Sequence, residues 1–319
     1  MTVVFMFPGQ SSKCPALLSK FEKMGGDCRH ILDEASEVLH DDIRRRFNPE
    51  SATLFQSNRD VQTGIFVANH IHARMLNVHG VHAKASLGLS LGEYNHLVEI
   101  GALSFGDALR LVANRGEAYD CGPAGLMAAV GPLSLEDLSV VIAKAQQAGL
   151  VEISNQNSPS QHVISGTRQG VEAALEILED EYFVQGVVID HNIPMHSSLF
   201  VGVAQKFGEH LARGAWRQAR GFYLSNVTAV PIEDPSPAVL TELLTAHVHS
   251  PVLWRQSVEA VVARHPDAVF IEVGPRRVLY NLLQSKWVSN RKLKTDGESG
   301  AAPDFAAIAV ALKDMAHAA

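Results

Sequence analysis

Ala85-Ser86-Leu87-Gly88-Leu89-Ser90-Leu91-Gly92-Glu93-Tyr94 sets a serine between two glycines at the point where an apolar run gives way to a helical pattern. That is the outline of a nucleophile elbow. Glycine at 88 and 92 removes the Cβ atoms that would clash in so tight a turn, which leaves the Ser90 hydroxyl clear of the backbone. The helix that follows points its first free N–H groups, beginning at Leu91, toward any oxyanion formed beside Ser90. G-x-S-x-G alone also occurs as an ordinary strand-to-helix turn, so the rest of the chain has to supply the context.

The 319 residues are 46% hydrophobic and 19% charged, enough to bury a large core. A net charge of −7 gives no general attraction for nucleic acid or an anionic membrane, and an acidic partner would need a local basic patch. The three cysteines, Cys14, Cys28 and Cys121, are too scattered for a disulfide framework or a zinc site, and the expectation is a reducing cytoplasm and no metal. The chain enters a β-type run at once, so neither a signal peptide nor a membrane-spanning helix is expected.

Val3-Val4-Phe5-Met6-Phe7 reads as a buried strand stopped by Pro8-Gly9-Gln10. Helices are expected over 16–23 and 28–39, and again from Val61, where Ile65, Ala68, Ile71 and Met75 recur at steps of three and four. Ser104 to Asp107 matches a capping box and opens a helix that carries Arg115 and Tyr119 in its last turns. Over 124–191 the elements shorten to the order β-α-β-β-α-β, a small ferredoxin-like subdomain inserted into a larger α/β body of residues 1–123 and 192–319. Ser236-Pro237 and Pro251 are each expected to start a helix, 267–273 is a strand, and 295–303 is a mobile connector before a last helix over 304–317.

Taken in order, Phe7-Pro8-Gly9-Gln10, Gln62-Thr63, the elbow, Arg115-Gly116, Asn155-Gln156-Asn157, Met195-His196-Ser197, Ser250-Pro251-Val252 and Glu272-Val273-Gly274-Pro275 carry a resemblance. Over roughly residues 3–279 the chain resembles the malonyl-CoA:acyl-carrier-protein transacylases and the related acyltransferases of polyketide synthesis. The implied fold is an α/β-hydrolase-like body with a parallel sheet and the inserted ferredoxin-like unit. The implied activity is ping-pong acyl transfer from coenzyme A through a seryl ester to a carrier's pantetheine thiol, by a monomer without a cofactor, malonyl-CoA being a substrate.

The resemblance also implies roles. Ser90 is the nucleophile and His196 its base, oriented by the main-chain carbonyl of His247 rather than by an acid, while the N–H groups of Gln10 and Leu91 hold the oxyanion. Arg115, whose planar fork suits a carboxylate, binds the free acid end of malonyl, and Gln62, Asn155 and Met195 line the acyl pocket. An arginine late in a helix equally serves the helix dipole or a surface ion pair. The chain departs from the family at Ser11-Ser12-Lys13, where Gly-Ser-Gln is usual, at Leu89 in place of histidine, at Met195 before the histidine, and at Arg276-Arg277 in place of Gly-Lys. Arg276, Arg277, Lys286, Arg291, Lys292 and Lys294 form the most basic stretch and the expected landing site for an acidic acyl carrier protein. Competing readings are a proofreading hydrolase that clears acyl carriers, an esterase using Glu233 or Asp234 with His247 or His249, and an inactive scaffold.

Overall fold

A computed structural model describes residues 1–296 and 302–317. Its strands are β1 (Thr2–Phe7), β2 (Ala85–Gly88), β3 (Leu126–Val130), β4 (Val151–Gln156), β5 (His162–Gly166), β6 (Val187–Asp190), β7 (Phe222–Leu224), β8 (Pro231–Glu233), β9 (Ala268–Glu272) and β10 (Lys292–Lys294). The fold is α/β. A parallel sheet runs β10-β9-β1-β2, and a separate antiparallel sheet runs β4-β5-β3-β6, the ferredoxin-like order.

Covered on both faces, a parallel sheet needs nearly continuous apolar strands. Val4 to Phe7 and Ala268 to Ile271 meet that demand and are buried. The helix Asn58–Val78 starts where the Ser57 hydroxyl accepts from the Asp60 N–H, and it buries Val61, Ile65, Ala68 and Ile71 in the same core cluster as Leu109 and Val112 of the helix Phe105–Asp120. In the antiparallel sheet, residues alternate between faces. Leu126, Ala128 and Val130 pack under the helices Leu135–Ala145 and Arg168–Tyr182, whereas Met127, Ala129 and Val163 turn toward a cavity between this sheet and the parallel one.

Several expectations are corrected. Pro251 does not begin a helix: the helix is Trp254–Arg264, and Val252 is spent on a bridge to the antiparallel sheet, its N–H donating to Ser154 O at 2.8 Å and its carbonyl accepting from Gln156 N–H at 2.9 Å. The helix expected over 16–23 is one turn, Ser19–Glu22. Of the connector over 295–303, Thr295 and Asp296 are buried rather than mobile, and 297–301 lie outside the described residues. Lys292, counted in the basic stretch, sits on the edge strand β10 and donates its ammonium to the carbonyls of Tyr280 and Leu283 at 2.7 and 2.6 Å.

The elbow joins β2 to the helix Gly92–Glu99 at van der Waals limits. A Cβ at Gly88 would lie 2.0 Å from the Gly92 carbonyl oxygen, and one at Gly92 would lie 2.2 Å from that of Phe7 in β1. Neither neighbour is a flexible side chain. Gly92→Ala is therefore expected to lower the unfolding free energy by about 1–3 kcal/mol, read as an earlier midpoint in urea denaturation.

Candidate active site

Ser90 follows the carboxyl end of β2 with φ = 52°, in the left-handed region that non-glycine residues avoid. Its amide donates to Asn226 Oδ1 at 2.7 Å, and Asn226 Nδ2 donates to the Gly88 carbonyl at 2.7 Å, so one side chain clasps both sides of the turn. His196, in the segment between β6 and the helix Val201–Ala212, is also left-handed, with φ = 59°. Its Nε2 lies 2.8 Å from Ser90 Oγ and its Nδ1 lies 2.8 Å from the main-chain oxygen of His247. A carbonyl only accepts, so Nδ1 carries the proton. In the neutral ring Nε2 is then bare and receives the Ser90 hydroxyl proton.

Arg115 is buried, with 1% of its surface exposed. It donates from Nη2 to Ser90 Oγ at 3.2 Å and from Nη1 to Gln62 Oε1 at 2.8 Å, and it stacks 4.3 Å over the Tyr119 ring. Among the described residues no carboxylate stands within ion-pair distance of it, and its Nε has no partner. The reading of Arg115 as a surface or dipole residue is overturned by this burial.

Burial pushes the His196 imidazole down to about 3, the nearby Arg115 charge adds to the fall, and the bond to the His247 carbonyl opposes it. Burial likewise lowers His247 well below the usual histidine range, with His196 and Arg115 contributing. At neutral pH both rings are uncharged.

The cavity beside Ser90 has a volume of about 300 Å³, and Gln10, Asn155, Met195 and His196 share its wall with Ser90. Gln10 and Leu91 follow the carboxyl ends of the neighbouring strands β1 and β2, and among the described residues neither backbone N–H has an acceptor. The Pro8 carbonyl ahead of Gln10 is held by Asn69 Nδ2 at 3.0 Å, and the same Nδ2 lies 3.0 Å from Asn95 Oδ1 on the elbow helix. Of the nine residues singled out in the sequence, Ser90, Gln10, Asn155, Met195 and His196 line this cavity, Arg115 reaches Ser90 Oγ with Gln62 bonded behind it, His247 reaches His196 through its carbonyl, and Leu91 follows Ser90 in the chain.

Asn226, Glu93 and Tyr223 were not singled out. Glu93 is fully buried: it accepts from the Tyr223 hydroxyl and, at 3.3 Å, from the Asn226 N–H, and it lies 3.1 Å from His247 Nδ1. Burial pushes its carboxyl up to about 8 against the Tyr223, Asn226 and Arg115 contacts that lower it. The esterase reading fails on geometry, because the imidazole at Ser90 Oγ is that of His196 rather than His247 or His249, and a main-chain carbonyl rather than Glu233 or Asp234 meets its Nδ1. Among the described residues there is no cluster of metal-ligating side chains, and no helix is long and apolar enough to cross a membrane.

Residues 17–302 match the family model described as an acyl transferase domain. The chain is 32% identical over 297 residues to a malonyl CoA-acyl carrier protein transacylase of Bacillus subtilis (strain 168), covering 92% of each chain. Among solved structures it resembles the Clostridium perfringens malonyl CoA-acyl carrier protein transacylase, with a TM-score of 0.89 and 27% identity over 99% of each chain. It also resembles the acyl-carrier-protein S-malonyltransferase of Burkholderia pseudomallei, with a TM-score of 0.86 and 30% identity over 98% of this chain and 100% of that one.

The reactive form of His196 is the neutral one, so its lowered pKa fixes an acid limit for Ser90. Modification of Ser90 by a neutral sulfonyl fluoride should proceed at a constant rate from pH 8 down to about 5 and fall only closer to about 3. Arg115→Met removes a like charge and moves that limit upward. A wild-type inflection near the ordinary histidine value of about 6.5 would contradict this placement of the ring.

Proposed function

The chain belongs to the acyl transferase domain family and is an acyltransferase, and from that premise we propose that it moves a malonyl group from coenzyme A to the pantetheine thiol of an acyl carrier protein through an ester on Ser90. The observation that carries the reading is Arg115: a buried guanidinium, 3.2 Å from Ser90 Oγ, with no carboxylate of the described chain against it. A buried charge without a counter-charge is costly, and an acyl group ending in a carboxylate supplies the missing one. Acetyl does not.

In the first half-reaction Ser90 Oγ attacks the thioester carbon as its proton passes to His196 Nε2, and the carbonyl oxygen becomes an oxyanion facing the Gln10 and Leu91 N–H groups. Collapse breaks the carbon–sulfur bond, and the departing coenzyme A thiolate takes the proton from His196. In the second half the pantetheine thiol gives its proton to His196, its sulfur attacks the seryl ester, and Ser90 leaves with that proton. Arg115 enters a second time. Its charge holds the His196 pKa down, and a bound carboxylate offsets that charge, so the base strengthens when a dicarboxylic acyl group is in place. Selectivity then acts on the chemical step as well as on binding.

The carrier is negatively charged in this reading and needs a positive landing site on a chain of net charge −7. Arg276 and Arg277 immediately precede Val278, which with Leu282 lines the cavity, so the basic stretch adjoins the way in. Lys292 is excluded from it by its bonds to carbonyls. Met195, Met127 and Val163 line the cavity, and in this reading their bulk disfavours a branched malonyl.

Intact-protein mass spectrometry with malonyl-CoA should show one added malonyl group, absent in Ser90→Ala and discharged by a holo acyl carrier protein. Arg115→Ala should cut the preference for malonyl over acetyl by about 10²–10⁴, the equivalent of about 3–5 kcal/mol for breaking a buried charge pair. Loss of the label to water at the same rate with and without carrier would favour hydrolysis over transfer.

A further inference from the structure

We propose that Glu93, acting through the side chains of His247 and Asn226, is the positioning residue for both members of the Ser90–His196 pair. Glu93 stands in the first turn of the elbow helix, where a carboxylate ordinarily faces solvent and favours the helix dipole. Here it is turned wholly inward. One branch from it runs through Asn226: its Oε2 accepts the Asn226 main-chain N–H at 3.3 Å, and the Asn226 side chain holds the Ser90 amide and the Gly88 carbonyl, each at 2.7 Å. The other runs through His247, whose Nδ1 lies 3.1 Å from the same Oε2 and whose carbonyl takes the His196 Nδ1–H at 2.8 Å. The two imidazoles lie 5.0 Å apart, centre to centre, at 26°.

The need for such a brace follows from the backbone. Ser90 and His196 sit at φ = 52° and 59°, and a non-glycine residue held there is strained and persists only when its surroundings over-determine it. A single carboxyl group is joined, through Asn226, to the amide of one and, through His247, to the acceptor that fixes the tautomer of the other. His247 therefore contributes more than a carbonyl, because its ring ties that carbonyl to the elbow.

The chemistry of the acceptor discriminates among variants. The Asn226 main-chain N–H can only donate, so an oxygen has to occupy the Oε2 position, whereas Oε1 faces the Tyr223 hydroxyl, which both donates and accepts. Glu93→Gln can place its oxygen toward Asn226 and His247 and its amide nitrogen toward Tyr223. Glu93→Leu offers no acceptor at all. His247→Gln keeps a donor for Glu93, and His247→Leu keeps only the carbonyl.

The inference rests on Ser90 as the proposed nucleophile, and two readouts separate it from the choice of substrate: phosphonylation of Ser90 by a fluorophosphonate, and malonyl transfer to a carrier. Glu93→Leu and His247→Leu should slow phosphonylation and lower kcat by about tenfold or more while KM for malonyl-CoA stays within about twofold. Glu93→Gln and His247→Gln should recover to within about threefold of wild type. Melting temperatures identify variants that fold, and if Glu93→Leu does not, the His247 pair decides. Wild-type kcat in His247→Leu, no recovery in His247→Gln, or a loss confined to KM would overturn the proposal. Phosphonylation that follows the expected order in a protein that takes up no malonyl would leave the brace standing and remove the substrate assignment.

Discussion

A guanidinium buried with no carboxylate of the described residues against it sets the terms for everything around it. Desolvating such a charge costs several kcal/mol even after relaxation, and a fold tolerates it only with substitutes for water on hand. Arg115 has the Gln62 amide oxygen, the Ser90 hydroxyl and the face of Tyr119. These are neutral groups. They solvate the cation without neutralising it, so its field reaches His196, His247 and Glu93, each of which is shifted by it. The site is thus poised electrostatically before any acyl group arrives.

The topology explains how so many backbone groups come to one point. β1 and β2 are neighbours in a parallel sheet, with Phe7 paired to Gly88, so the loops at their carboxyl ends emerge side by side. In open α/β sheets this is where ligands bind. One loop brings Gln10 and the other Ser90 and Leu91, while the asparagine pair Asn69–Asn95 keeps their spacing from behind. The antiparallel sheet then closes the cavity with the face its own helices leave uncovered, through Met127, Ala129 and Val163.

Much of this was legible in the sequence because it is local. Gly88 and Gly92 announce the elbow, capping serines mark the helices, and the β-α-β-β-α-β order marks the inserted sheet. Ser90 follows from the elbow itself, whereas His196 and Arg115 were found through a family resemblance rather than through spacing, since they lie 106 and 25 residues from Ser90 along the chain. Asn226 escaped notice because an asparagine after a short strand looks like turn chemistry, and its partner Ser90 is 136 residues away. Glu93 looked like an N-terminal helix acid, and nothing in its neighbours announces that it turns inward. Pro251 misled for a related reason: it resembles a first-turn proline, but the segment is claimed by a sheet 97 positions earlier in the chain, at Asn155. Long-range pairing overrode local propensity.

That last bridge has a mechanical meaning. By binding Ser154 and Gln156 from both sides of Val252, it stitches the edge of the antiparallel layer to the body, and Gln256 adds a side-chain bond to Gln156 nearby. Because Asn155 is both the bridge residue and part of the cavity wall, that seam registers the wall supplied by the smaller sheet against the body that carries Ser90.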